Sequence, residues 1–439
     1  MKRNRNKKLP QNRLILTRQF SLGLNMLPQF KEAMLAATRI WNSCVWHSRN
    51  IYKEEKRWPT NAELKAKFKS FSAWKELHSQ SAQAVVEEYF EAVRSYKKHR
   101  ENGHNEMNPP NFKPKYRLRT ITWKKQGFSI KGNTLILKFS RQKEPVKISL
   151  PAEWNIFLLP NGRKIHGVPI EVKLKAVVRR QKVKNLILHI TFDFGEVSTD
   201  NTGFISAYDY NSSIIARATT NGILDLFVCR ELLAHIQYRN KILAEFQSKI
   251  SRLKEGTRRW KKLSAAKARI LHKLDHHITH MEHTLSSLFA KLDNQEGIAT
   301  AVIGDLTDLR RTSRSGDKNK KASQKINQMA YNRIFSEQYY KNLIQGIKTV
   351  KHQEKYTSTT CSLCGIHKPT YRQYRGLWVC KNCGTILQAD LNGAVNLLKN
   401  YVFGNCINQT FPVSFKQIRI WHWNKKLNRF VQVSPRAAV

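Results

Sequence analysis

"VCKNCGTILQADLNGAVNLL", residues 379–398, decides how the chain is read, because a cysteine pair runs straight into an acidic residue that opens an apolar, asparagine-rich helix. Cys380-x2-Cys383 has a counterpart, Cys361-x2-Cys364, from which it is separated by fifteen residues, and a glycine follows each pair, Gly365 and Gly384. Two such turns can aim four thiolates at one Zn²⁺, and the glycines permit the tight backbone that each knuckle needs. Four thiolates leave no open position for water or substrate, so this zinc is structural. Cys44, Cys229 and Cys406 show no partner spacing and read as buried thiols. Four clustered cysteines out of seven fit a metal site in a reducing compartment better than a disulfide framework.

Around that stretch the chain is strongly basic, with 78 Lys+Arg against 31 Asp+Glu and a formal charge of +47 over 439 residues. Such an imbalance repels itself unless a polyanion neutralises it, which makes nucleic acid the leading partner. The 41% hydrophobic content argues for folded structure, and the length allows two or three domains. A membrane is not expected as a partner, since no apolar run approaches the roughly 18 residues of a spanning helix. The start, "MKRNRNKKLPQNR", lacks an apolar core and reads as a basic arm. The expected location is therefore cytoplasmic.

Periodicity divides the rest. From Leu27 to about His99 the pattern is helical, with a capping box at Thr60 and Glu63 and a stripe of Val85, Val86, Tyr89, Phe90, Val93 and Tyr96 that reads as core. Pro109, Pro110 and Pro114 end it, and the period then changes to two, with a hairpin turning at Gly132 and Asn133. Several short basic strands suggest a small β-barrel. A sheet segment, "FISAYDYNSSIIARATTNG", places Asp209 just before a turn; a helical region from about Leu232 to Leu292, the strand "ATAVIGDL", a helix within "SQKINQMAYNRIFSEQYYKNLIQG" and the strand "IKTVKHQEKYT" follow. Strand, hairpin, helix, strand, helix, strand, helix is the order of an RNase H-like fold. His272, His276, His280 and His283 fall at helical spacing and read better as a polar surface or packed seam than as a metal face. The loop from Arg310 to Lys325 reads either as a basic strand guide or as a solvated loop, and the tail alternates like a hairpin.

This order of features resembles the TnpB family, transposon-encoded RNA-guided DNA endonucleases related to the type V CRISPR effectors. The motif "YTSTTCSLCG…VCKNCG…ADLNGAVNLL" is similar to the family's zinc ribbon interrupting the last RuvC motif, and "PPNFKPKY" to the segment leading into its wedge barrel. The resemblance implies an α+β multidomain fold: a basic arm and first wedge strand (1–20), a helical recognition module (21–107), a β-barrel wedge domain (108–200), a RuvC-like RNase H-type nuclease (201–360), an inserted zinc ribbon (361–384), the last RuvC motif (385–400) and a tail (401–439). It implies guide RNA and target DNA as partners, with two catalytic Mg²⁺ and one structural Zn²⁺ on Cys361, Cys364, Cys380 and Cys383.

Two-Mg²⁺ hydrolysis of a phosphodiester needs acidic oxygens that hold the ions a few Å apart. The resemblance places the first at Asp209, though Asn211 stands where the family usually has glycine, and the third at Asp390. The second is missing, because Gly304 stands where most members carry glutamate. Asp305 points to the other face of its strand, and Asp308 lies beyond it. Glu354 ends the strand expected next to that of Gly304, about 4.8 Å away, and a branch of the family with Gly-Asp-Leu in this motif carries its glutamate there. Asp209, Glu354 and Asp390 are thus the expected catalytic set. The alternatives are a guided DNA-binding protein with a decayed nuclease, in which Glu354 is a surface residue, and a conventional transposase acting without RNA.

Overall fold

The structure, a computed structural model, describes residues 12–103, 105–141, 143–159, 162–179, 182–199, 202–305, 328–368, 372–374, 376–404 and 415–433. Asp308, the loop from Arg310 to Lys325 and Cys406 lie outside them. The chain forms two compact units, Arg13–Gly195 and, among the described residues, Asn12 with 196–433.

In the first unit, strand β1 (Arg13–Leu22) precedes four helices, α1 (Leu27–Glu55), α2 (Asn61–Phe68), α3 (Ser72–Lys75) and α4 (Ser79–Glu101). The capping box at the start of α2 is formed: Glu63 N donates to Thr60 Oγ1 at 3.2 Å, and Thr60 N to the Glu63 carboxylate at 2.7 Å. Val85, Val86, Tyr89 and Val93 of α4 are buried, while Phe90 and Tyr96 are half-buried. Strands β2 (Ile121–Lys124), β3 (Phe128–Lys131), β4 (Thr134–Leu137), β5 (Val146–Ser149), β6 (Ile156–Leu158), β7 (Lys164–His166), β8 (Val168–Arg179) and β9 (Lys182–Glu196) follow. Lys131 pairs with Thr134 across the Gly132-Asn133 turn, where Gly132 adopts φ +57°.

These strands form three separate hydrogen-bonded sheets, β1-β9-β8-β2, β3-β4-β5 and β6-β7, rather than one continuous barrel sheet. Helices and strands share one core, in which Phe30 of α1 meets Trp123 and Phe139 at ring-centroid distances of 6.3 and 6.2 Å. The change of period near residue 108 is therefore not a break in packing.

The second unit is built on one seven-stranded sheet. Strands β10 (Phe204–Tyr210), β11 (Ile214–Thr219) and β12 (Ile223–Val228) are joined by tight turns; helices α5 (Arg230–Ser251) and α6 (Arg258–Gln295) lead to β13 (Ile298–Gly304), and α7 (Tyr331–Ile344) to β14 (Lys348–His352). After the cysteine region, with its small sheet β15 (Arg372–Tyr374), β16 (Leu377–Val379) and β17 (Ile386–Gln388), come α8 (Ala389–Val402), β18 (Gln417–Asn424) and β19 (Arg429–Val433). The sheet order is β14-β13-β10-β11-β12-β18-β19, with β13 and β14 parallel to β10. The helical region expected as one is two helices, broken where Gly256 takes φ +87° and Thr257 caps α6. The tail hairpin joins the sheet itself, β18 pairing parallel to β12.

Each face of the sheet is covered. One carries Tyr208, Ile215, Phe227, Ala301 and Ile303 against α5 and α6; the other carries Ala207, Ala216, Ala218 and Val302 against Leu391, Ala394, Val395 and Leu398 of α8. The near-continuous burial of β11 and β13 follows from that double cover. Small residues on the α8 side let a helix lie close to the strand ends.

Candidate metal centre

Because side chains alternate along a strand, Asp209 shares the face of Ala207 and points toward α8. It meets the helix at Gly393: a Cβ there would collide with Asp209 Oδ2 and stand 3.4 Å from its Cγ. Glycine at this point in "DLNGA" is what allows the carboxylate of β10 to touch a helix 184 residues later in the chain.

Asp390 sits in the first turn of α8, 7% exposed, where a negative charge is favoured by the helix dipole. Gln388 is the cap. Its Oε1 accepts from Asp390 N and Leu391 N at 2.6 and 2.8 Å, and its Nε2 donates to Asp390 Oδ2 at 2.8 Å. The other oxygen, Oδ1, accepts from Asn211 Nδ2 at 2.7 Å. Asn211, which departs from the usual glycine, thus orients the third carboxylate. No local signal marks Asn211 for a partner 179 residues away in sequence.

Gly304 ends β13 and pairs with His352 of β14; Tyr208 pairs with Ile303, which brings Asp209 to the level of Gly304. Two residues beyond β14, Glu354 turns back over the glycine. A Cβ at position 304 would fall within the space of Glu354 Oε1 and 2.7 Å from its Cγ. The carboxylate therefore stands where a side chain of residue 304 would begin. Its Oε1 is buried and has no hydrogen-bond partner. Burial, with the Asp305 carboxylate as a second cause, pushes Glu354 up to about 7.

A buried carboxylate oxygen without a hydrogen-bond donor, held near a like charge, has the chemistry of a ligand for a hard divalent ion. Asp209, Glu354 and Asp390 do not all close within 4.8 Å of one another; among the described residues only the cysteines form a group at that spacing.

The four cysteine sulfurs lie within 4.8 Å of one another, with Cys361 to Cys383 at 3.7 Å and Cys364 to Cys380 at 3.6 Å. Four thiolates about 2.3 Å from one zinc stand about 3.8 Å apart, so the group fits Zn²⁺. Both knuckles close alike: Gly365 N donates to Cys361 O at 3.0 Å and Gly384 N to Cys380 O at 2.9 Å, the glycines at φ +72° and +70°. The helix histidines go separate ways, His280 to the Asn428 carbonyl and His283 to Glu337, while the His272 and His276 rings meet edge to face at 5.1 Å.

Residues 331–397, from α7 through Glu354, the knuckles and Asp390 into α8, match the family described as Cas12f1-like, TNB domain. The fold is similar to that of a solved complex of Cas12f1 with sgRNA and target DNA, at TM-score 0.55 and 16% identity, over 85% of this chain and 83% of that one. CasPhi-2 (Cas12j) bound to crRNA aligns over 92% of this chain and 99% of its own at TM-score 0.43 and 11% identity. No curated protein matches the chain. The domain match and the fold support the resemblance to TnpB and the type V effectors. Among the described residues no helix is long and apolar enough to cross a membrane.

Proposed function

We propose that this chain is an RNA-guided DNA endonuclease of the TnpB type, cutting target DNA by RuvC-type hydrolysis with Asp209, Glu354 and Asp390 as its carboxylates. The observation that carries the reading is Glu354 Oε1, buried without a donor in the space of the missing side chain at Gly304. The sheet order β14-β13-β10-β11-β12 supports the RNase H-like reading, with Asp209 near the end of β10, Glu354 just beyond the parallel β14, and Asp390 bonded to Asn211 just after β10. Mg²⁺ ions held there would supply activation of water and neutralise the departing oxygen. Gly393 lets Asp209 approach α8, and Gln388 and Asn211 hold both oxygens of Asp390 in one orientation.

The cysteine knuckles would carry a structural Zn²⁺. The first unit, rich in exposed Lys and Arg, would bind a structured guide RNA, whose pairing supplies sequence specificity while the protein reads a short motif beside the target. Encoding by a transposon belongs to the same reading.

One observation favours a second reading, guided binding without cutting: both oxygens of Asp390 already accept hydrogen bonds. Plasmid cleavage in Mg²⁺ by protein copurified with its own RNA separates the two. Wild type is expected to cut, and Asp209→Ala and Glu354→Ala to bind the target without cutting. Wild-type binding without cutting would establish the second reading instead.

A further inference from the structure

The asparagines of α8 answer a question that the metal centre leaves open, namely what holds Glu354 over Gly304. Glu354 does not lie in a strand. It begins an irregular segment, Lys355–Thr360, that runs to the first cysteine, and Tyr356 within it takes φ +61°, a conformation a bulky residue adopts only when held from outside.

Asn392, Asn396 and Asn400 are spaced four apart, so they line one face of α8, and all three are buried. Asn396 Nδ2 donates to the Thr357 and Thr360 carbonyls at 2.8 and 2.7 Å, and its Oδ1 has no partner, so donation to this segment is its whole hydrogen-bonding role. Asn392 Nδ2 donates to Thr360 O at 2.8 Å, and its Oδ1 accepts from Ser362 N at 2.8 Å. Asn400 Nδ2 reaches Lys355 O at 3.4 Å, and Lys399 Nζ donates to Ser362 O. Thr357, gripped by Asn396, in turn donates from Oγ1 to the Glu354 carbonyl at 3.1 Å.

The other side of the segment leans on the zinc ribbon. Lys368 N donates to Thr359 O at 3.1 Å, the hydroxyls of Thr359 and Thr360 both meet His367 Nδ1 at 3.2 Å, and the Tyr356 and His367 rings lie 5.1 Å apart. His367 lies between the two cysteine pairs. The strap is thus clamped between a helix that carries Asp390 and a ribbon folded on four thiolates.

We infer that Asn396 and Asn392 are positioning residues for Glu354, and that zinc in the knuckles completes the clamp, so that zinc occupancy sets the affinity of the carboxylates for divalent ions. The inference deepens the proposed nuclease reading and rests on Glu354 being a ligand. Coupling runs through the knuckle backbone, where Cys361 N donates to Ile366 O beside His367, then from His367 to Thr359 and Thr360, and along the segment to Glu354.

The test uses the full chain with its copurified RNA. Asn396→Leu, of similar volume, is expected to raise the Mg²⁺ concentration for half-maximal cutting about tenfold, the usual cost of an outer-shell partner, with cutting largely restored at saturating Mg²⁺. Wild type stripped of zinc should show the same shift, and stripping Asn396→Leu should add little, because both act through one strap. Amide hydrogen exchange of residues 355–360 should quicken in both, while β10–β12 stay protected. An unchanged Mg²⁺ requirement after zinc removal, shifts that multiply, or unaltered exchange at 355–360 would overturn the inference. Exchange in zinc-stripped wild type needs no variant, so it decides the clamp even where Asn396→Leu fails to fold. Should Glu354→Gln cut as wild type does, the ligand reading of Glu354 is what fails, and the exchange result still decides the clamp.

Discussion

Two charge clusters in the second unit, a buried one around Arg217 and a half-buried one around Glu354, are built oppositely. Around Arg217, opposite charges face each other: its guanidinium meets Asp225, Asp293 and Glu296 at 2.7–2.8 Å, and Arg419 closes on Asp225 and Glu296. Burial pushes the Asp293 carboxyl up against the pull of Arg217, which brings the cluster closer to neutrality. Around Glu354, by contrast, the charge that acts on the carboxyl is another carboxylate, Asp305. The first cluster stitches β11, β12, β18 and the end of α6 together, and although Asp293 Oδ2 and Glu296 Oε2 also lack hydrogen-bond partners, two guanidinium groups sit among its carboxylates. Glu354 feels a like charge in place of such counter-charges, and this difference is what supports the proposed cation site there.

The largest effect expected from this contrast is on cutting itself. Gly304→Glu puts a carboxylate where most of the family is expected to have one, but its Cβ collides with Glu354 Oε1. Glu354→Gly removes the carboxylate. Each single variant should reduce plasmid cleavage to background. Gly304→Glu combined with Glu354→Gly frees the space and restores the acid from the neighbouring strand, so the double variant should cut. A double variant as inactive as the singles, with RNA and target binding intact, would mean that Glu354 does not stand in for residue 304.

Next in size is the self-contained cluster. Arg217→Ala leaves three buried carboxylates without their main counter-charge, a change of about 3–5 kcal/mol. Chemical denaturation should show that loss, and Mg²⁺ should not recover it, because Arg419 still faces Asp225 and Glu296. Recovery by Mg²⁺ would erase the distinction between the two clusters.

How far the sequence shows these clusters depends on how local their partners are. The knuckles are legible because a CxxC turn is complete within a few residues. Asp209 and Asp390 are legible because each sits at a recognisable end, of a strand before a turn and of a helix after a ribbon. Glu354 beside Gly304 follows from one non-local step, parallel neighbours in a sheet. Of the two clamps on Asp390, Gln388 is local, two residues upstream, whereas Asn211 carries no mark of Asn-to-Asp pairing across 179 residues. The parallel docking of β18 on β12, which brings Arg419 into the Arg217 cluster, is equally silent, since an alternating hairpin has the same pattern wherever it pairs. Nor does a change from helical to strand periodicity reveal that Phe30 and Trp123 share one core.

The smallest effect is a pH dependence of stability, and its sign separates the clusters. Glu354 has its carboxyl raised from the ordinary 4.5 to about 7 by burial and by Asp305. A raised carboxyl adds stability that is full below about 4.5 and lost as pH rises through about 7, because ionising it in place is harder than in the unfolded chain. The shift corresponds to about 3 kcal/mol. Without divalent ions, the protein should therefore weaken between pH 4.5 and 7, and Glu354→Gln should flatten that slope and be the more stable form at pH 8. Mg²⁺ favours the ionised carboxylate and should restore wild-type stability at pH 8 while leaving Glu354→Gln unmoved. Asp225, whose carboxyl is held low by Arg419 and Arg217 against its own burial, gives the opposite sign, stability lost as pH falls below the ordinary carboxylate range. A melting curve that rises with pH between 4.5 and 7 in the absence of Mg²⁺ would place Glu354 in the same class as Asp225, a charge already compensated by protein, and would leave the metal centre without its second ligand.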